Sequence, residues 1–354
     1  MKRLILVFFI LSFCYASQRF QFEVISQFYL EQDEKNFIGY LSGMAVDEEE
    51  NIFIVDNKNH NIKIYNKKGK LVRVFGKKGG GPGEFVSPGR IDYDSGKYIV
   101  QDYGLARYII FDKAFNEISR FYRLPGPCET FIVNGERVIS NGYFEEGQGK
   151  EFKGLIMNFS GKILKKLLQL NAPKEDAWDR ITNMLAFLDV SNKGEIFLVM
   201  AREVKIFKFS KEGELLLTFG KNPTYFSPCK KNRDFETMIF GTTSKEMIDA
   251  ERRWRKAFSW VSGIFVLDDF LGIVIRNFNQ KIGMWQSFVQ IYDLKGELQQ
   301  ERIHLIELGT SSSGPLCYDF FYDSNHKDRV YFLEILDEDR EPKYRFTMYR
   351  VLRK

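Results

Sequence analysis

Histidine is nearly missing from this chain of 354 residues: its three copies, His60, His304 and His326, stand far apart. None has a neighbour at metal-ligand spacing, and no two cysteines are spaced for zinc, so a histidine-built metal centre is not expected. Cysteine is scarce as well, confined to Cys14, Cys128, Cys229 and Cys317. Loss of Cys14 with a leader would leave an odd number, which cannot make a closed disulfide framework. A chain of this length can bury a core without staples, so the three are read as small hydrophobes, with a Cys128–Cys229 bridge as the alternative. A GxSxG nucleophile elbow and a phosphate-binding loop are also missing. The run GKKGGGPGEF from Gly76 lies between two strand patterns and opens no helix, which makes it a connection and not a phosphate cradle.

An excess of one charge is lacking too. Lys and Arg number 52 against 47 Asp and Glu, a net charge of +5 that drops by two once Lys2 and Arg3 are removed. Nucleic acid, which is gripped through a basic stripe, is therefore not an expected partner. The one long apolar run, Leu4 to Phe13, follows Lys2 and Arg3 in the charge-then-hydrophobe order of a secretory signal and is too short to span a bilayer. Ala16 suits cleavage, so residues 1–16 are expected to be a signal peptide and 17–354 a single domain that is periplasmic or secreted, with no transmembrane segment. Lipid attachment at Cys14 is the alternative, opposed by the bulk of Phe13.

Aromatic residues are what the chain has in abundance, with 34 Phe and 17 Tyr, far more than one site can use and well suited to strand interiors. They recur in register: IKIYNKKGKLVRVFG from Ile62, YIIFDKAFNEISRFY from Tyr108, LIMNFSGKILKKLL from Leu155, VKIFKFSKEGELLLTFG from Val204 and FVQIYDLKGELQQERI from Phe288. In each, alternation stops at a short Gly or Asn turn and resumes, the pattern of an antiparallel hairpin. A further unit from Leu316 ends one strand short, while Phe20 to Leu30 is a strand with no partner of its own. Pairing the two abolishes both stray edges. The chain is thus expected to be all-β: a six-bladed β-propeller of four-stranded antiparallel blades, closed by the N-terminal strand joining the last blade. The blades begin near Gly43, Gly89, Cys128, Leu185, Ser262 and Leu316.

The stretch VDNKNHNIKIYNKKGKLVRVFGKKGGGPGEFVSPGRIDYDSGKYIVQD from Val55 resembles an NHL-repeat unit passing into the next, on the Asp56, Asn59 and Ile62 pattern and the GGGPGEF linker. The resemblance implies the propeller. For function it implies a range, since NHL propellers include interaction domains, RNA binders, sensor ectodomains and a lyase branch. That branch depends on a histidine-coordinated metal, and only His60 falls in an NHL-like loop, so the activity is not carried over.

Strand direction turns connection length into geography. Connections between first and second strands, such as Asp47 to Asn51, and between third and fourth, such as Asn66 to Lys70, are minimal. The others, including Glu31 to Ser42, Lys77 to Pro88, Gly142 to Phe152, Asn171 to Met184, Lys221 to Ser259, Asn277 to Gln286 and Leu305 to Pro315, are long and fall on the opposite face. Such one-sided elaboration favours a binding surface. Within the largest connection a helical insertion is expected at about 221–260: Thr243 and Glu246 form a capping box, and Met247, Ala250, Trp254 and Ala257 or Phe258 follow at helical spacing. A shorter helix is expected from Pro173.

All four tryptophans, Trp178, Trp254, Trp260 and Trp285, lie in or beside these connections. Rigid rings near arginines are what partner hot spots use. The candidate binding face is accordingly His60, Arg107, Trp178, Arg252, Arg255, Lys281 and Trp285. The expected function is a monomeric binding module for a protein, peptide or glycan. An enzyme of the lyase or lactonase type, with a site at the channel mouth, is the alternative. No cofactor and no catalytic residue is assigned; Ca2+ would require convergence of carboxylates such as Asp102, Asp268, Asp269, Asp319 and Asp323 on the channel.

Overall fold

The computed structural model describes residues 20–122, 128–146, 150–170, 186–228, 256–281, 283–308, 320–324, 327–338 and 341–354. The predicted leader, Cys229, Cys317 and the side chain of Cys128 lie outside them.

Six four-stranded antiparallel sheets form the blades. A strand β1 (Phe20–Tyr29) precedes blade one, which is β2 (Leu41–Val46), β3 (Ile52–Asp56), β4 (Asn61–Tyr65) and β5 (Leu71–Phe75). The linker that follows carries a short parallel pair, β6 (Lys77–Lys78) and β7 (Glu84–Phe85). Blade two is β8 (Pro88–Asp94), β9 (Lys97–Asp102), β10 (Arg107–Asp112) and β11 (Glu117–Tyr122). Blade three is β12 (Cys128–Asn134), β13 (Arg137–Glu146), β14 (Lys150–Asn158) and β15 (Ile163–Leu170). Blade four is β16 (Ala186–Val190), β17 (Ile196–Met200), β18 (Ile206–Phe209) and β19 (Leu215–Phe219). Blade five is β20 (Trp260–Val266), β21 (Phe270–Asn279), β22 (Met284–Asp293) and β23 (Leu298–Leu308). Blade six is β24 (Phe320–Ser324), β25 (Arg329–Glu338) and β26 (Glu341–Arg353), and β1 supplies its outer strand, running from Phe20 opposite Arg353 to Tyr29 opposite Arg345.

Each blade buries both of its faces, so second strands are buried without alternation, and β3 and β17 are buried at every position. One apolar cluster fills each of the six slots between neighbouring blades. Outer strands have only one neighbour in their own sheet, and β5 and β19 are exposed along most of their length.

Two expectations need correction. The helical insertion is not found: among the described residues there is no helix. Residues 229–255 lie outside the described set, but Ala257 and Phe258, taken as the last helical positions, form a turn that leads into β20. Phe258 packs on the blade five and six core, and Ser259 pairs its backbone with Ser227, so tertiary contacts claim residues whose spacing alone suits a helix. The helix expected from Pro173 falls on residues outside the described set. Secondly, three connections read as loops are strand in part. Gly142 to Glu146 and Lys150 to Phe152 prolong β13 and β14, Asn277 to Asn279 and Met284 to Gln286 prolong β21 and β22, and Leu305 to Leu308 prolong β23.

Candidate binding face

On the face of the long connections, the second strand of each of the first two blades ends in a buried aspartate that pins the incoming linker. Asp56 accepts hydrogen bonds from the N–H groups of Gly39 at 2.9 Å and Tyr40 at 3.1 Å, and pairs with Lys63 Nζ at 2.6 Å. Burial pushes its pKa up, but the Lys63 ammonium and the two amides outweigh this and hold it below the ordinary carboxylate value. Asp102 repeats the device, accepting from Val86 N–H at 3.1 Å and Ser87 N–H at 2.9 Å. Beside it Arg107, 3.5 Å from the carboxylate, donates to the carbonyls of Gly80 at 3.0 Å and Glu84 at 2.9 Å. His60 Nδ1 lies 2.9 Å from the Val86 carbonyl, a bond that needs the hydrogen on Nδ1. Arg107 and His60 are thereby brought together around one linker, and both hold it in place.

At the channel mouth this framework presents two phenol rings. Tyr40 immediately precedes the inner strand β2, and Tyr103 follows the second strand β9; they are 48% and 39% exposed. The ring of Tyr103 lies so close over Gly89 that a Cβ there would be 1.9 Å from it, which requires glycine at that place. Tyr103 N–H donates to Ser87, Asn57 N–H donates to Tyr40, and the Asn57 side chain donates to Ser87 Oγ at 2.9 Å and to Pro88 O at 2.8 Å. The result is a hydrogen-bonded ledge spanning blades one and two. Neither tyrosine was singled out by sequence; the available signal was an aromatic residue directly outside the strand alternation.

Lys281 is exposed at the tip of the β21–β22 hairpin, where its N–H donates to Asn279 Oδ1 at 3.0 Å. Trp285 is different. It is buried in β22, its ring 5.4 Å from the Arg276 guanidinium and edge-on to Phe278 at 5.3 Å, so it builds the slot between blades five and six and offers no face to a ligand. Trp260 is buried at the start of β20. Trp178, Arg252, Arg255 and Trp254 lie outside the described residues.

Inside the channel, inner-strand aspartates occupy equivalent positions on alternate blades. Asp92 accepts the N–H of Val133 at 2.7 Å or less, Asp189 that of Val266 and Asp323 that of Val46, so each carboxylate staples its inner strand to that of the next blade. Burial, then the negative charge of Asp323, with Asp189 and Asp94 contributing, pushes the Asp92 carboxyl well above its ordinary value, against the Val133 bond. Of the carboxylates expected to converge, Asp323 is in this collar. Asp102 is a linker clamp, Asp268 and Asp269 lie in the β20–β21 turn, and Asp319 is outside the described residues. Among the described residues no three metal-ligating side chains are close enough to hold an ion.

Comparison with known proteins agrees with this architecture. Residues 13–119 match the family described as "6-bladed beta-propeller". No curated protein matches in sequence. A member of the duf4221 family from Bacteroides vulgatus is 8% identical with a TM-score of 0.62, covering 95% of this chain and 99% of its own. A Bacteroides fragilis protein named as exported is 13% identical with a TM-score of 0.58, covering 95% and 96%. At identities this low the likeness is one of fold alone. In its first third the chain is similar to that propeller family, and as a whole it is a six-bladed β-propeller with four-stranded blades.

Proposed function

We propose that the chain is an exported binding module whose long-connection face takes a protein, peptide or glycan. The observation that carries this reading is the ledge of Tyr40 and Tyr103, two half-exposed rings fixed on a hydrogen-bonded platform at the channel mouth. Rigid phenols bury much area at little entropic expense and carry a polar tip, which is why such rings serve as contact anchors. Among the described residues the opposite face has nothing comparable: its turns close on themselves, with Asp47, Asn66, Asp112, Asn158 and Asp293 each accepting local backbone N–H groups. Export is supported by the charge-then-hydrophobe order of residues 2–13 and by the name of the Bacteroides fragilis fold neighbour.

The test is retention on glycan and peptide arrays by the natural protein and by a Tyr40→Ala, Tyr103→Ala double variant of unchanged melting temperature. Loss of retention in the variant is expected; equal retention overturns the site. The second reading, an enzyme with a channel site, is favoured by the Asp92, Asp189 and Asp323 collar, because burial and like charge raise the Asp92 pKa, the direction that suits a carboxyl to proton donation. Its check is turnover of lactone and cyclic depsipeptide panels by the natural protein and by Asp92→Asn.

A further inference from the structure

Five blades turn from third to fourth strand by one device. The first turn residue, Asn66, Asp112, Asn158, Ser210 or Asp293, accepts from the backbone two and four residues on. The fourth residue is left-handed. Four blades put glycine there, with φ of 76° at Gly69, 78° at Gly161, 86° at Gly213 and 95° at Gly296. Blade two puts Phe115 there, at φ 67°. A bulky L-residue in that region is under steric strain, which persists only where the surroundings enforce it and which marks places worth a functional explanation.

The surroundings explain what the strain achieves. The glycine turns lie flat on the outer strand of the preceding blade: an added Cβ would come 2.6 Å from Phe28 at Gly69, 2.8 Å from Phe121 at Gly161 and 2.9 Å from Phe219 at Gly296. Those slots are covered by their turns. Between blades one and two, the Phe115 side chain instead enters the slot, stacked on Tyr98 at 4.9 Å with 10° between planes, and 4.5 Å from Phe75. Outside it a cleft of about 540 Å³ opens on the circumference, between β5 and β11. Phe75, Phe111 and Phe115 make its floor, Ile118 and Arg120 a wall, and Pro82 its end.

The rim is cationic. The Arg73 guanidinium lies 5.7 Å from the Phe75 ring and 5.3 Å from the Phe115 ring, with no ion pair among the described residues. Lys78 is exposed; Arg120 is neutralised by Glu117, and Lys77, 77% exposed, by Glu84 at 3.4 Å. Strand β11, as the outermost of its sheet, has an unpaired main-chain edge, with Ile118 50% and Tyr122 84% exposed along it. An edge with free N–H and C=O groups is a template for an added strand.

We propose that this cleft is a second binding site, distinct from the channel mouth, for an acidic extended peptide that pairs along β11 and sets one aromatic side chain on the Phe75 and Phe115 floor. The aromatic floor selects the anchor, the unpaired Arg73 selects the flanking carboxylates, and the strand edge fixes direction.

The experiment uses fluorescence anisotropy with three labelled peptides: Asp/Glu-rich with a central Phe, the same with the Phe replaced by Ala, and the Phe peptide with Lys in place of its acids. The natural chain is expected to bind the first at least about tenfold more tightly than the others, and Arg73→Glu to lose at least about tenfold at unchanged melting temperature. Phe115→Gly, which relaxes the turn and removes part of the floor, is expected to bind the Phe and Ala acidic peptides alike while still binding the Lys peptide more weakly. Should that variant fail to fold, Arg120→Glu takes its place and is expected to weaken the acidic peptides alone. Equal binding of the three peptides by the natural chain, no binding of any, or an Arg73→Glu variant that binds as the natural chain does would overturn the proposal. So would loss of the binding in the Tyr40→Ala, Tyr103→Ala variant, which places the peptide at the mouth.

Discussion

Blade two and blade five treat the second-strand residue opposite the start of the inner strand, Asp102 facing Pro88 and Arg276 facing Trp260, in opposite ways. In blade two the end is polar and densely bonded: Asp102 receives two backbone amides and Arg107, and Arg107 in turn grips two linker carbonyls, with only its buried Nε left without a hydrogen-bond partner among the described residues. In blade five the corresponding place holds Arg276 against the Trp285 ring, and both Trp285 Nε1 and Ser287 Oγ are buried with no hydrogen-bond partner among the described residues. One blade is held to its linker by directed bonds, the other to its neighbour by burial. The first arrangement fails when a partner is removed; the second tolerates polar mismatch and depends on area.

That contrast can be broken most severely from the apolar side. Deleting Phe20 to Leu30 removes Phe20 from the blade five and six cluster, where it lies 4.8 Å from Phe270, and uncovers the outer edge of β26 from Arg345 to Arg353. Loss of a cooperative transition, or a melting temperature lower by about 10 °C or more, is expected by calorimetry; melting like the natural chain would mean that β1 does not close the ring. Next in size, Asp102→Ala leaves Arg107 buried and two amides unpaired, and should destabilise by about 3–5 kcal/mol in urea unfolding, with Asp102→Asn milder because one acceptor survives.

Asp56 and Asp92 sharpen the comparison through pH, because they slope in opposite directions. The Asp56 pKa is lowered on folding, so its contribution is present above the ordinary carboxylate value and is lost as pH falls through the folded value. The Asp92 pKa is raised, so stability declines as pH rises from ~4 toward the folded value. Asp92→Asn keeps an acceptor for the Val133 N–H without the charge. It should melt like the natural chain at low pH and a few degrees higher (~2–4 °C) at neutral pH; a constant gap would contradict the coupled collar. The smallest effect is expected at Trp285→Phe, within about 1 kcal/mol of the natural chain, since the lost ring area is offset by removal of an unpaired buried donor.

Much of this fold is legible in the sequence because its periodic parts are local. Alternation, short turns opened by Asn66, Asp112, Asn158, Ser210 and Asp293, and the unpaired strand at Phe20 together give six blades and their closure. What is not legible depends on contacts across slots. Phe258 has helical spacing from Trp254, yet a neighbouring blade claims it for a turn. Trp285, in the polar connection pattern NQKIGMWQS from Asn279, reads as exposed until Arg276 and Phe278 are seen across the sheet from it. The residues proposed in its place, Tyr40 and Tyr103, lie in connections where no period marks them. Phe115 stands in the sequence where the other four turns have glycine, and its φ of 67° and its neighbours give that exception a meaning.

The pairing of β1 with β26 also sets a timetable. Residues more than three hundred positions apart must meet before blade six is whole, so the last part of the ring belongs to the slow, high-contact-order class of folding events. As the ribosome delivers the chain, the first strand must wait for the last. Until then it remains an exposed edge, open to a chaperone or to the β26 of another copy.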